Sequence, residues 1–221
     1  MSKDKIKEPI LHYGNMYGID KYTKMRIQKY ASIIKDNLRA GDSVLDIGCY
    51  TAELPDFLPK GIFYFGVDFD DEAVKIAQSN GLNVMKVNFE EEVINFKEKF
   101  DFIIAAEILE HLKDPARMMR QIKDLLKDKG MVIISLPNEN TLYHRFMSLL
   151  GFGIDMCAFQ LYKHLHFPTI RQNVDFVSKY FKIIRKEYYI NPGGRGSHFE
   201  KFGLLLKLVP DRIWEILAYL F

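Results

Sequence analysis

Five acids and one histidine stand where apolar runs give way to turns, and these side chains have the type and spacing to do chemistry. Asp46 lies in Val44-Leu45-Asp46-Ile47, directly before Gly48 and Cys49. Glu53 follows the turn, and Asp68 closes Gly66-Val67-Asp68, twenty residues after Gly48. That is the offset at which a carboxylate meets a ribose in nucleoside-cofactor folds, and a carboxylate's two acceptor oxygens suit a vicinal diol. Glu107 follows the apolar run 100–106, with Glu110 and His111 close behind. A histidine there is a candidate general base, since imidazole exchanges a proton near neutral pH. Its plainer reading is a helix-entry histidine satisfied by backbone.

The same residues discriminate between cofactors. A pyrophosphate site needs a second glycine two positions after the first so that the backbone can close on the phosphates, and this chain has Tyr50 there. Carboxylates at positions 46, 53, 68 and 107 would also repel a pyrophosphate. They suit a ligand with a cationic end and ribose hydroxyls and no phosphate. S-adenosylmethionine has those features, so it is expected as the cofactor, with a nicotinamide dinucleotide as the remote alternative.

These residues need a frame to hold them. Val44–Ile47 reads as a buried strand, turned sharply at Gly48, where a missing Cβ lets the backbone bend or approach a ligand. The apolar spacing after it predicts a helix over 52–58, with Pro55 in its first turn. Further strands are expected at 62–67, 83–87, 100–106 and 131–136. Between them come a helix over 72–79, capped by Asp70 or Asp71 and ended by Asn80-Gly81, a charged connector or short helix over 90–99, and a helix running from Pro115, capped by Asp114, to Gly130. Strands alternating with helices predict an α/β fold with a doubly wound, mostly parallel sheet. A helix with Ile19, Tyr22, Ile27, Tyr30, Ile34 and Leu38 on one face forms, within residues 1–40, a cover for the sheet or a site. The aromatic and Met-rich stretch 141–168 is expected to cap the sheet's carboxyl edge and form an acceptor pocket, with a dimer face or a core patch as alternatives. A helix over 169–180 and a sixth strand over 182–190 follow.

With 221 residues, one domain is expected. A net charge of +2 argues against a phosphate-tracking surface, so no nucleic-acid partner is expected. The two cysteines, Cys49 and Cys157, make neither a disulfide framework nor a metal set. They read as reduced thiols of a cytoplasmic protein. The charged start, Met1 to Glu8, has no apolar core of a signal peptide. No apolar run approaches the ~18 residues needed to span a bilayer.

Four motifs in order carry a family resemblance. Val44-Leu45-Asp46-Ile47-Gly48-Cys49, Gly66-Val67-Asp68, Glu107-Ile108-Leu109-Glu110-His111-Leu112-Lys113-Asp114-Pro115 and Ser135-Leu136-Pro137-Asn138 together resemble a class I S-adenosylmethionine-dependent methyltransferase, over about residues 40–190. The ubiquinone-pathway O-methyltransferases are the subgroup most resembled. The resemblance implies a Rossmann-like sheet and methyl transfer to a small, hydrophobic or ring-bearing acceptor. It places Gly48, Cys49, Tyr50 and the adjoining backbone at the cofactor's methionine end, with Asp46 orienting the turn. It places Asp68 on the ribose hydroxyls, Phe69 against the adenine, Asn88 and the Phe89 N–H at the ring's edge, and Ala106 and Glu107 beside the methionine portion. The family's Gly-x-Gly-x-Gly loop stands here as Gly48-Cys49-Tyr50-Thr51-Ala52, and Tyr50 either points away from the cofactor or fills part of its pocket. That departure motivates the alternative of a non-catalytic methyltransferase-fold scaffold. Glu107, Glu110 and His111 resemble a magnesium-binding pattern of some O-methyltransferases and small-RNA 2′-O-methyltransferases. His164 sits where the latter have another ligand. By resemblance the fold ends in a seventh, antiparallel strand, and the tail 199–221 leaves little for one. A shortened or atypical seventh strand is therefore expected, with a homodimer covering the exposed edge.

Overall fold

A computed structural model describes residues 21–138, 142–151 and 164–187. Five strands build its sheet: β1 (Ser43–Ile47), β2 (Phe63–Asp68), β3 (Val84–Lys86), β4 (Phe100–Ala106) and β5 (Leu126–Ser135). Their order is β3-β2-β1-β4-β5, and every pairing is parallel. β1 and β4 are central, and their near-continuous apolar character follows from being covered on both faces. Alternate residues point to opposite faces. Leu45, Ile47, Ile103 and Ala105 join one core cluster, while Val44, Phe102 and Ile104 join another.

Helix α1 (Lys21–Lys35) closes the second cluster with Ala31 and Ile34. α2 (Asp71–Ser79) packs Val74 and Ala77 against Val84 and the loop after β1. Asp70 caps α2 by accepting from the Glu72 and Ala73 amides, and Gly81, at φ +79°, follows its end. On the other face, α3 (Pro115–Leu125) buries Met118, Met119, Ile122 and Leu125, each contributing about 1.5–3 kcal/mol by burial. α5 (Ile170–Ser178) brings Phe176 and Val177 to the same cluster and starts at a reciprocal capping box between Thr169 and Gln172. α4 (Leu142–Leu149) presents Phe146 and Leu149 to solvent. Among the described residues no helix is long and apolar enough to cross a membrane.

Several expectations need correction. The helix over 52–58 is only a 3-10 turn, Leu54–Phe57. Left-handed Ala52 delays the helix start to Leu54, and the chain is already extended at Leu58, which leaves room for a single turn. α3 stops at Leu125, not Gly130. The chain becomes extended at Leu126, which pairs with Phe100, and Lys127 reaches the Asp101 carboxylate at 2.7 Å. Residues 90–99, by contrast, form the charged connector, the first of the two expected forms. Residues 182–187 are not a strand; Glu187 instead pairs with Lys29 and Arg185. The lead 1–20, part of the expected cap (141 and 152–163, with Cys157), residues 188–190 and the tail 199–221 with its seventh strand lie outside the described residues.

Candidate functional site

The loop after β1 is built on left-handed backbone. Gly48 (φ +77°), Tyr50 (+50°) and Ala52 (+62°) alternate with ordinary residues. A Cβ at Gly48 would also stand 2.9 Å from Ile108 Cδ1, the end of a side chain that can give, so the positive φ is the stronger demand for glycine. Tyr50 and Ala52 carry the strain that glycine would relieve. The loop's amides are committed to holding it down. Gly48 and Cys49 donate to the Val67 carbonyl (2.8 and 3.2 Å), Tyr50 to Asp68 Oδ2 (2.7 Å) and Ala52 to the Cys49 carbonyl (2.8 Å). These N–H groups therefore fix the loop on β2 rather than stand ready for a ligand, as the glycine turn alone had suggested. Cys49 tucks behind the loop because β2 has Gly66 there; a Cβ at Gly66 would meet Cys49 Sγ at 2.6 Å.

Above the carboxyl ends of β1 and β4 lies a cavity of about 110 Å³. The chain winds from β1 out to β3 and returns to the other side of β1 at β4, so this crevice is the topological switch point where open α/β sheets bind ligands. The cavity is lined by Asp46, Gly48, Cys49, Tyr50 and Glu53 from the β1 side, and by Ala106 and Glu107 from the β4 side. Thr23, Arg26, Ile27 and Tyr30 of α1 form its roof. Arg26 Nη1 meets Glu107 Oε2 at 2.9 Å, and Ser135 Oγ bonds the other Glu107 oxygen. Glu107 itself sits at φ +54°.

Burial sets the electrostatics. Desolvation pushes Asp46 up to about 7; the Tyr64 hydroxyl, donating to Asp46 Oδ2 at 3.0 Å, opposes this, and Asp68 and Glu53 add to it. Desolvation likewise raises Asp68, against the Asp70 and Tyr50 amides that its two oxygens accept at 2.9 and 2.7 Å. Two buried acids under one loop, both raised by desolvation, are poised to respond to a cation.

Of the expected site residues, Asp46, Gly48, Cys49, Tyr50, Ala106 and Glu107 come together around the cavity. Asp68, Phe69, Asn88 and Phe89 lie beside it, on the neighbouring ends of β2 and β3. Phe69 is half exposed, while the Phe89 side chain is core. Asn88 Oδ1 accepts from Glu90 N–H at 3.1 Å. Ile27 and Tyr30 belong to the helix face expected to cover a site, whereas Arg26, Thr23 and the Asp46 partner Tyr64 were not singled out from the sequence. Their signal was available: Thr23, Arg26, Ile27 and Tyr30 are one i, i+3, i+4, i+7 stripe, polar where a purely packing face would be apolar.

A second cluster stands after β4. Ligand atoms of Glu110, His111 and His164 lie within 4.8 Å of one another. Glu110 is fully buried, with His164 Nε2 at 3.9 Å and His111 Nε2 at 4.0 Å from its Oε1. The imidazoles pack edge to face at 4.8 Å. Leu165 N–H donates to the Glu110 carbonyl at 2.7 Å, and His166 Nε2 sits 2.8 Å from the Leu112 carbonyl, so the 164–166 strap is tied to the 109–112 turn. Glu107, expected in this set, is elsewhere, held by Arg26 and Ser135. His111 does not line the cavity.

A family model described as a methyltransferase domain matches residues 22–179. A ubiquinone biosynthesis O-methyltransferase of Glaesserella parasuis is 34% identical over 115 residues, 47% of this chain and 49% of that protein. One of Albidiferax ferrireducens is 31% identical over 109 residues, 46% of this chain and 43% of that protein. The chain thus spans about half the length of the curated relatives it matches. Among solved structures, an S-adenosylmethionine-dependent methyltransferase from Clostridium acetobutylicum is similar at 22% identity and a TM-score of 0.44, covering 60% of this chain and 55% of that one.

Proposed function

The chain belongs to the methyltransferase-domain family, and on that premise we propose that it transfers a methyl group from S-adenosylmethionine to an oxygen of a small, apolar, ring-bearing acceptor. The observation that carries the proposal is the switch-point cavity, walled by Asp46, Glu53 and Glu107 and roofed by Arg26. The residues fit the cofactor. Carboxylates suit its ammonium and sulfonium, and the guanidinium suits its carboxylate. The cavity is smaller than the about 300–1,000 Å³ of a complete ligand pocket, so it receives the methionine end alone. The ribose falls to Asp68, whose oxygens each keep a lone pair beyond the amides they accept. The adenine falls to the exposed face of Phe69 and the Asn88–Phe89 backbone. An oxygen acceptor on a ring is supported by the names of the two relatives, and nitrogen is the second possibility.

The bound cofactor supplies an electrophilic methyl group for in-line displacement. The chain's own part is positioning and exclusion of water. The strained loop and Glu107 seat the methionine end, and α1 closes over it. We assign the acceptor's proton to His111, held against His164 and Glu110. The same three side chains fit a divalent ion. One carboxylate with two imidazoles suits zinc or iron better than magnesium, which favours oxygen alone, and such an ion would polarise an acceptor oxygen. The deciding experiment is calorimetry with S-adenosylmethionine and S-adenosylhomocysteine. Both should bind, and Asp68→Ala should weaken binding by about 100-fold, the loss of two charge-assisted hydrogen bonds. Absence of binding by either ligand overturns the proposal.

A further inference from the structure

We propose that Arg117, at the start of α3, is a positioning residue that holds the adenine-binding turn in shape. The turn 88–92 has no regular secondary structure to satisfy its backbone, so its polar groups need other partners. Its donors point inward to Asn88. Glu91 and Glu92 N–H reach the Asn88 carbonyl at 3.1 and 2.8 Å, and Glu90 N–H reaches Asn88 Oδ1. Its carbonyls point outward, and Arg117 collects them. Nη1 donates to Glu90 O at 2.7 Å and lies 3.5 Å from Phe89 O; Nη2 donates to Glu92 O at 2.8 Å and lies 3.4 Å from Glu91 O.

A rigid, planar fork of donors is what four successive carbonyls require, and a lysine ammonium cannot span them. Arg117 is fixed in turn. Its amide is held by Asp114 at the start of α3 (2.9 Å to Oδ1), and Asp114 precedes Pro115. Two further bonds tie the connector to the same region: Lys113 N–H to Glu90 Oε1 at 2.9 Å, and Ile94 N–H to Gln121 Oε1 at 2.8 Å. The position of Asn88 and the Phe89 amide is therefore set from α3. This inference rests on the cofactor proposal, which places the adenine at that turn.

Calorimetry with two ligands tests it: S-adenosylhomocysteine, and S-ribosylhomocysteine, which lacks only the base. Arg117→Ala should weaken S-adenosylhomocysteine about tenfold, as when a binding-competent turn is populated a tenth of the time, and leave S-ribosylhomocysteine unchanged. Arg117→Lys should fall between, and it carries the test should the alanine variant not fold. Equal losses for both ligands, or no loss for either, overturn the role of Arg117. Failure of the cofactor proposal looks different: the unaltered protein would then bind neither ligand.

Discussion

Arg26 of α1 and Glu107 at the end of β4 form an ion pair, 2.9 Å long, across the mouth of the cavity. Without a ligand, the roof's cation and one wall acid satisfy each other. A zwitterionic amino-acid end can enter by exchange, its ammonium going to Glu107 and its carboxylate to Arg26, so that one pair becomes two.

On the proposed cofactor reading, such an exchange gives Arg26 a part in binding that can be measured. Arg26→Ala should weaken S-adenosylhomocysteine by at least about tenfold, the worth of one charged hydrogen bond, while the melting temperature moves little. Glu107→Gln should weaken it less, because Asp46 and Glu53 still face the ammonium. Titration calorimetry of the two variants decides the order.

Asp46 gives the site a pH dependence. Its folded-state value, about 7, lies above its unfolded value of 3.8. The folded state thus holds the extra proton between those values, and this group's contribution to stability is complete below about pH 4 and lost as pH rises through about 7. The melting temperature of the ligand-free protein, relative to Asp46→Asn, should therefore fall from pH 5 to pH 8. Binding of cationic S-adenosylmethionine should move the other way, tightening by roughly tenfold between pH 6 and pH 8. A flat difference across that range would show that Asp46 stays ionised.

Divalent ions separate the two roles of the Glu110, His111 and His164 cluster. If it holds an ion, zinc should raise the melting temperature, and His164→Ala should weaken zinc binding by about tenfold or more. Activity should then fall on chelation and return on adding the ion. If His111 acts as a base alone, chelation leaves activity unchanged while His111→Ala lowers it by about 100-fold or more.

Backbone strain in the loop after β1 predicts stabilising substitutions. Ala52→Gly should raise stability by about 1 kcal/mol, a shift of about 2–4 °C in melting temperature. Tyr50→Gly removes similar strain but also one wall of the cavity. Binding that appears only in Tyr50→Gly would mark the natural chain as a scaffold, not a catalyst.

Much of this arrangement was legible in the sequence. β4 was readable to the residue because Phe100–Ala106 is apolar apart from Asp101 and is bounded by polar residues. α2 was readable from its Asp70 cap, and the cofactor edge from glycine and acids at fixed offsets. Other features depend on tertiary context. Apolar spacing over 52–58 mimics a helix, but the loop's left-handed residues run into it. The stretch 182–190 reads as a sixth strand, yet its described part, 182–187, is not one, and Glu187 is drawn to Lys29 and Arg185. The polar stripe that carries Arg26 was visible in the spacing, but only the packing of α1 shows that this stripe meets the cavity. The Thr169–Gln172 capping box was readable from spacing and was overlooked.

Gly66 has one consequence beyond making space. Because β2 is bare there, the Cys49 thiol lies sealed between loop and strand, 7% exposed, and burial pushes it well above the ordinary thiol range. It is unreactive while the loop lies flat. Any lifting of the loop uncovers it, so the rate of alkylation at Cys49 acts as a clock for loop opening. A ligand seated in the cavity should slow that clock without ever touching the sulfur.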